Sequence, residues 1–194
     1  MTSAKKIRHA FNQASTDKGF SHEYEKHYAK VFKEYTPDSL LEIGVKRGES
    51  LAAWSILFPS SKIAGLDIEE SAFKPFNITF SNAKIIIGDS TKKETAATLD
   101  NYDVIIDDGS HYYKDILKTF INFQNKFNKY YIIEDLMYKQ EFVVKLIQRM
   151  GFKVTVCDSK IQNVYVNKHW LRFNIRKNKE LIPIDVKFLI VEKS

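Results

Sequence analysis

With 194 residues, a hydrophobic share of 44% and a charged share of 28%, the chain has the make-up of one soluble globular domain able to bury a core. No apolar run approaches the roughly 20 residues of a membrane span, the basic N-terminus has no apolar stretch behind it to make a secretory signal, and the single Cys157 excludes an internal disulfide, which fits a reducing, cytoplasmic setting. The formal charge is +6, and from Lys160 onward eight Lys and Arg stand against three Asp and Glu, a solvated basic face or an attraction for nucleic acid, an anionic glycan or an acidic membrane surface.

The N-terminal 36 residues read as a helical extension. Residues 4–14 suggest a short helix and Ser15 to Gly19 a loop. From Ser21, a candidate N-cap, Tyr24, Tyr28, Val31, Phe32 and Tyr35 recur at helical spacing up to Thr36-Pro37. Lys18, His22, Tyr24 and Tyr28 are candidates for a lid over a pocket, although the aromatics of such a helix more commonly pack in a core. Beyond residue 37, strands alternate with helices. Strands are expected over 39–44, 62–67, 83–89, 103–107, 130–134, 152–158 and 186–192, with helices over 49–57, 112–127 and 139–150. A polar, aromatic segment, 159–185, reads as a hairpin insertion. This pattern predicts an α/β fold, a doubly wound and mostly parallel sheet with helices on both faces.

In such sheets ligands bind beyond the carboxyl ends of the strands. Here each of the first five strands ends in acid: Glu42, Asp67, Asp89, Asp107-Asp108 and Glu134-Asp135. The first is followed by Glu42-Ile-Gly44-Val-Lys-Arg-Gly48-Glu-Ser50, a turn whose glycines let backbone approach a ligand. Its G-x-x-x-G spacing departs from the G-x-G-x-x-G of nicotinamide binders, and the P-loop lysine is missing. Asp67 stands where a carboxylate can take both hydroxyls of a ribose, and otherwise reads as a loop acid. Asp89 either borders an adenine or caps the helix near Thr91. Asp108, Glu134 and Asp135 come from two neighbouring strand ends and suit a hard divalent cation such as Mg²⁺, against the plainer reading of three unrelated caps. His111, three residues after Asp108, suits a general base.

Together these residues resemble the class I S-adenosylmethionine-dependent methyltransferases. More narrowly they resemble the metal-dependent O-methyltransferases of macrolide and other sugars, related to the cephalosporin hydroxylase group. The resemblance runs through Asp17-Lys-Gly-x-x-His22-x-Tyr24, Glu42-Ile-Gly-Val-x-x-Gly-x-Ser50, Trp54, Gly65-x-Asp67, Gly88-Asp89, Ile106-Asp-Asp-Gly-Ser-His111 and Glu134-Asp-Leu136. It implies a Rossmann-like sheet of about seven strands with the last antiparallel. It implies a donor bound by Glu42, Gly44, Gly48, Ser50, Asp67, Asp89 and Asp107, of which Asp107 has no defined role. It implies Mg²⁺ on Asp108, Glu134 and Asp135, His111 as base, and a small-molecule or glycan acceptor, with a homo-oligomer allowed. Two departures stand out: Lys126-Phe-Asn-Lys129 replaces the P-G-G turn of the group, and 159–185 matches nothing in it. The rival readings are a nucleic-acid methyltransferase, a non-catalytic donor-binding protein and a nicotinamide oxidoreductase.

Overall fold

The computed structural model describes residues 1–20, 22–69, 82–161 and 184–193. The N-terminal segment forms α1 (Ala4–Gln13), α2 (Asp17–Phe20) and α3 (Glu25–Phe32). Then follow β1 (Ser39–Ile43), α4 (Glu49–Leu57), β2 (Lys62–Asp67), β3 (Ala83–Ile87), α5 (Lys93–Ala97) and β4 (Tyr102–Asp107). The chain continues with α6 (Tyr113–Phe123), β5 (Phe127–Leu136), α7 (Gln140–Arg149), β6 (Phe152–Ile161) and β7 (Ile184–Lys193). The strands make one seven-stranded sheet in the order β3-β2-β1-β4-β5-β7-β6. β7 runs antiparallel to both neighbours, and the pairs among β1 to β5 are parallel. The expected doubly wound sheet with an antiparallel last strand is therefore the observed one.

Local differences have local causes. The Ser15 to Gly19 loop contains one helical turn, α2. The third helix begins at Glu25 with Tyr24 at its cap position, and the expected cap Ser21 lies outside the described residues. α6 stops at Phe123, four residues early, because Phe127 already pairs with Tyr102 as the start of a longer β5. The turn that departs from the family pattern is therefore mostly strand. β6 and β7 pair along their whole lengths, up to Ile161↔Ile184. The ends of the expected insertion are thus strand, and its middle, 162–183, lies outside the described residues together with most of the basic tail.

Hydrophobic residues cover both faces of the sheet. On one face α1, α3 and α4 bury Phe11, Tyr28, Phe32, Trp54 and Phe58 with Leu40, Val104, Ile106 and Ile132. The Trp54 ring meets Phe11 and Tyr28 edge-on, with centroids 5.3 and 4.8 Å apart, contacts worth about 1 kcal/mol each beyond burial. On the other face Phe120, Phe123, Val143 and Ile147 pack on Ile105, Tyr131 and Ile133. The central strands β1 and β4 are buried on both sides, which is why Val104-Ile105-Ile106 reads as an unbroken apolar run and Leu40, Leu41 and Ile43 flank only the buried Glu42. No helix among the described residues is long and apolar enough to cross a membrane.

Candidate active site at the carboxyl edge of the sheet

Strand register sets the site. Ile43 pairs with Leu66 and Asp107, and Asp107 pairs with Ile133. Gly44, Asp67, Asp108 and Glu134 therefore leave the sheet at one level. Above them lies a cavity of about 780 Å³ lined by Gly44, Asp67, Asp89, Asp108, His111 and Asp135 among others.

At the β1–β3 end, carboxylates are held by nearby backbone. Asp67 Oδ2 accepts the Val45 and Lys46 N–H groups, each at 2.9 Å, and Oδ1 accepts that of Glu69 at 3.1 Å. Asp67 therefore shapes the glycine turn as well as facing the cavity. Asp89 Oδ1 accepts the Thr91 N–H at 2.9 Å and its hydroxyl at 2.7 Å, and these bonds hold its pKa down. That is a local turn and not the expected helix cap, since α5 starts at Lys93 with Lys92 at its cap position, and Asp89 also lines the cavity. Gly44 has φ +86°, and a Cβ there would stand 2.1 Å from the Asp108 carbonyl oxygen. The glycine is thus required by the close approach of the β1 and β4 turns. Gly48, at φ +88°, precedes α4 in open space. Glu42 is buried and accepts the Ser50 hydroxyl at 2.7 Å, and burial raises its pKa to about 7 against the lowering influence of Lys18. Glu42 and Ser50 thus make a buried pair beneath the turn.

At the β4–β5 end, the acids are held from far away in sequence. A β-bulge falls between Ile133 and Leu136, and Asp135 takes a left-handed φ of 50°. The bulge lets the consecutive Glu134 and Asp135 both reach the same end of the sheet, where a regular strand would send them to opposite faces. Asp108 Oδ1 lies 3.6 Å from His111 Nε2, and His111 Nδ1 lies 3.8 Å from Asp135 Oδ2. His111 also has a left-handed backbone, at φ 55°. Two non-glycine residues in this sparsely populated region, facing each other, mark a place where geometry is imposed by the surroundings. Among the described residues Asp108, His111 and Asp135 each offer one ligand atom, all within 4.8 Å of one another. The two carboxylates of that set fit a hard divalent cation, which prefers oxygen ligands, with the imidazole of His111 beside them.

Glu134, the third expected ligand, is turned elsewhere. One oxygen accepts the Tyr28 hydroxyl and the other lies 2.5 Å from Lys18 Nζ. Burial, with the neighbouring Asp108 and Asp135 charges, raises its pKa despite Lys18. Tyr24 donates its hydroxyl to Asp135 Oδ1, and His22 Nδ1 lies 3.3 Å from the same oxygen. Burial disfavours the Asp135 charge, but the hydrogen bond and charge of His22, then His111 and Tyr24, outweigh it and hold the pKa low. Burial lowers the His22 pKa and Asp135 more than restores it, so that the net shift is upward. The four expected lid residues are thus brought to the acid centre as a packed wall: Tyr24 and Tyr28 are fully buried and Lys18 nearly so. Asp107 is buried below, accepting the Tyr131 hydroxyl at 2.9 Å, and burial raises its pKa to about 7.

What the sequence reading missed is the role of Lys18 as the counter-charge of three carboxylates, and of Tyr131 as the partner of Asp107. A lysine in a polar loop carries no local sign of burial. The tyrosine repeat in the strand leading to Glu134 was the available sign for Tyr131.

No protein-family model matches the chain. It is 33% identical, over 48% of its length, to a mycinamicin VI 2''-O-methyltransferase of Micromonospora griseorubida, covering 26% of that protein. It is 30% identical, over 53% of its length, to a demethylmacrocin O-methyltransferase of Streptomyces fradiae, covering 28% of it. The chain thus spans about a quarter of the curated relatives it matches. In structure it is similar to the MycE methyltransferase of the mycinamycin pathway, solved in complex with Mg, SAH and mycinamycin VI. That similarity has a TM-score of 0.60 and 28% identity, over 71% of this chain and 41% of the other.

Proposed function

We propose that this chain, whose fold is that of the class I S-adenosylmethionine-dependent methyltransferases and whose sequence is similar to two O-methyltransferases, transfers a methyl group to a hydroxyl of a sugar or glycosylated small molecule. The observation that carries the reading is one cavity with two chemically distinct ends, the glycine turn with Asp67 at one and Asp108, His111 and Asp135 at the other. When bound, S-adenosylmethionine supplies the methyl group and a divalent cation supplies the charge that lowers the pKa of an acceptor hydroxyl.

The rest is the work of the chain. Gly44, Gly48 and the Asp67-shaped turn bind the donor, with Glu42 and Ser50 buried beneath, Asp89 further along the edge and Asp107 supporting from below. Asp108 and Asp135 would hold the cation, and Glu134, now bonded to Tyr28 and Lys18, would supply a third oxygen. His111 accepts the acceptor's proton as the oxygen attacks the methyl carbon. Asp135 orients His111 and stabilises the imidazolium that forms, while His22 and Tyr24 fix Asp135. The N-terminal wall excludes water from this end, and holding both reactants in one cavity supplies much of the acceleration. Cytoplasmic action fits the lone buried thiol, Cys157.

The test is methyl transfer from labelled S-adenosylmethionine to a panel of free glycosides with Mg²⁺. Transfer to a glycoside that stops with EDTA is the expected result. Transfer indifferent to EDTA would remove the metal, and salt-sensitive transfer to RNA or DNA alone would replace the acceptor class.

A further inference from the structure

The acid centre divides at Asp108. Its Oδ1 faces His111 on the side of Asp135. Its Oδ2 lies 2.6 Å from the Lys18 ammonium, which also reaches Glu134 Oε2 at 2.5 Å and Glu42 Oε1 at 3.4 Å. One half therefore presents ligand atoms, and the other already holds a cation that belongs to the chain. Lys18 is 2% exposed, and Glu42 and Glu134 are buried beside it. Buried carboxylates in such a group need positive charge close by or must take up protons. An ammonium supplies one charge and three donors, and here three acids surround it.

We propose that Lys18 is a positioning residue that serves as an internal counter-ion of the metal centre, holding Glu134 and Asp108 in place without a divalent ion and competing with that ion for them. The proposal rests on the divalent-cation reading above. A divalent ion prefers oxygens and carries twice the charge of the ammonium. The two cannot both sit within bonding range of Glu134 Oε2 without strong repulsion. Loading the ion therefore weakens the hold of Lys18 on Glu134, and Glu42, 3.4 Å from the ammonium, remains to hold it.

The experiment titrates Mn²⁺ into the full chain by calorimetry, with thermal melts alongside. Lys18→Met should bind Mn²⁺ at least about tenfold tighter than wild type, because a repelling charge is gone. Without metal it should melt lower than wild type, and its melting temperature should rise more when Mn²⁺ is added. Lys18→Gln, which keeps a donor for the acids, should shift in the same direction by less, and it carries the affinity comparison if Lys18→Met melts too early to titrate. Lys18→Arg should stay within about threefold of wild type, since the charge remains. A lysine that only anchors the N-terminal segment predicts the opposite sign, weaker Mn²⁺ binding in both neutral variants, and that result would overturn the proposal. Wild type that binds Mn²⁺ beside variants that bind it no tighter also overturns the role of Lys18 while leaving the metal site. Wild type that binds no Mn²⁺ at millimolar concentration removes the divalent reading, and the proposal with it.

Discussion

The two ends of the cavity are both rimmed with acid, yet they hold it by different means. At the glycine-turn end, Asp67 and Asp89 are bonded by backbone and side-chain groups within 22 residues, and Asp89 and Oδ1 of Asp67 by groups only two residues on. At the other end, Lys18, Tyr24 and Tyr28 reach their acids across 90 to 116 residues of sequence. Half-exposed carboxylates need only a few N–H donors, which the turn itself provides. Buried carboxylates must be matched by groups that can be buried with them, and a distant segment brings these. The first end is therefore a property of its turns, and the second a property of the whole fold.

Four substitutions sharpen that contrast, the largest effect first. His111→Ala should lower the turnover of methyl transfer about 10²- to 10⁴-fold, the range of a lost general base, with S-adenosylmethionine affinity by calorimetry unchanged. Equal loss of donor affinity would mean that the two ends do not divide the labour. Gly44→Ala places a methyl against the Asp108 carbonyl at a left-handed position. It should lower unfolding free energy by about 2–4 kcal/mol in urea titration. Gly48→Ala, with the same backbone but open space around it, should lower it by only about 1 kcal/mol. Similar losses at both would deny the close approach of the turns. Asp67→Asn weakens two charge-assisted bonds to the turn. It should raise the KM for the donor about tenfold, as a loss of roughly 1.5 kcal/mol implies, and leave the KM for the acceptor alone.

The smallest effect is on acid stability. Burial, then the nearby Lys30, lowers the His27 pKa in the N-terminal wall. A depressed histidine contributes stability that is present above its unfolded value, about 6.5, and is lost as pH falls through the folded value. His27→Gln should flatten the decline in melting temperature below about pH 6.5, and an unchanged slope would assign that decline elsewhere.

The same contrast explains what could be read from the chain. Val104-Ile105-Ile106 ending in Asp107 announced a buried parallel strand, and the acid-tipped ends of five such strands located the edge where the cavity lies. Gly44 could be read as a turn, but its contact with Asp108 could not, since that depends on two turns meeting across the sheet. Tyr24 and Tyr28 showed helical spacing and so read mainly as core. They are core, fully buried, but their hydroxyl ends also serve the acids. Hydrophobic period reports which face is inside and is silent about what a polar tip meets there. The bulge at Glu134-Asp135 left no sign at all, because it is fixed by pairing with β7, more than fifty residues later.

The wall of Lys18, Tyr24 and Tyr28 has a consequence for how the chain comes into being. Synthesis runs from the N-terminus, so Lys18 is added to the chain 116 residues before Glu134. An early-made segment thus meets the last of its polar partners late. Until β5 is in place, the Tyr24 and Tyr28 hydroxyls lack the carboxylates they meet in the fold, and Lys18 lacks one of its three. A nascent chain halted before Glu134 should thus display this segment open to a protease, and one released after β7 should hide it.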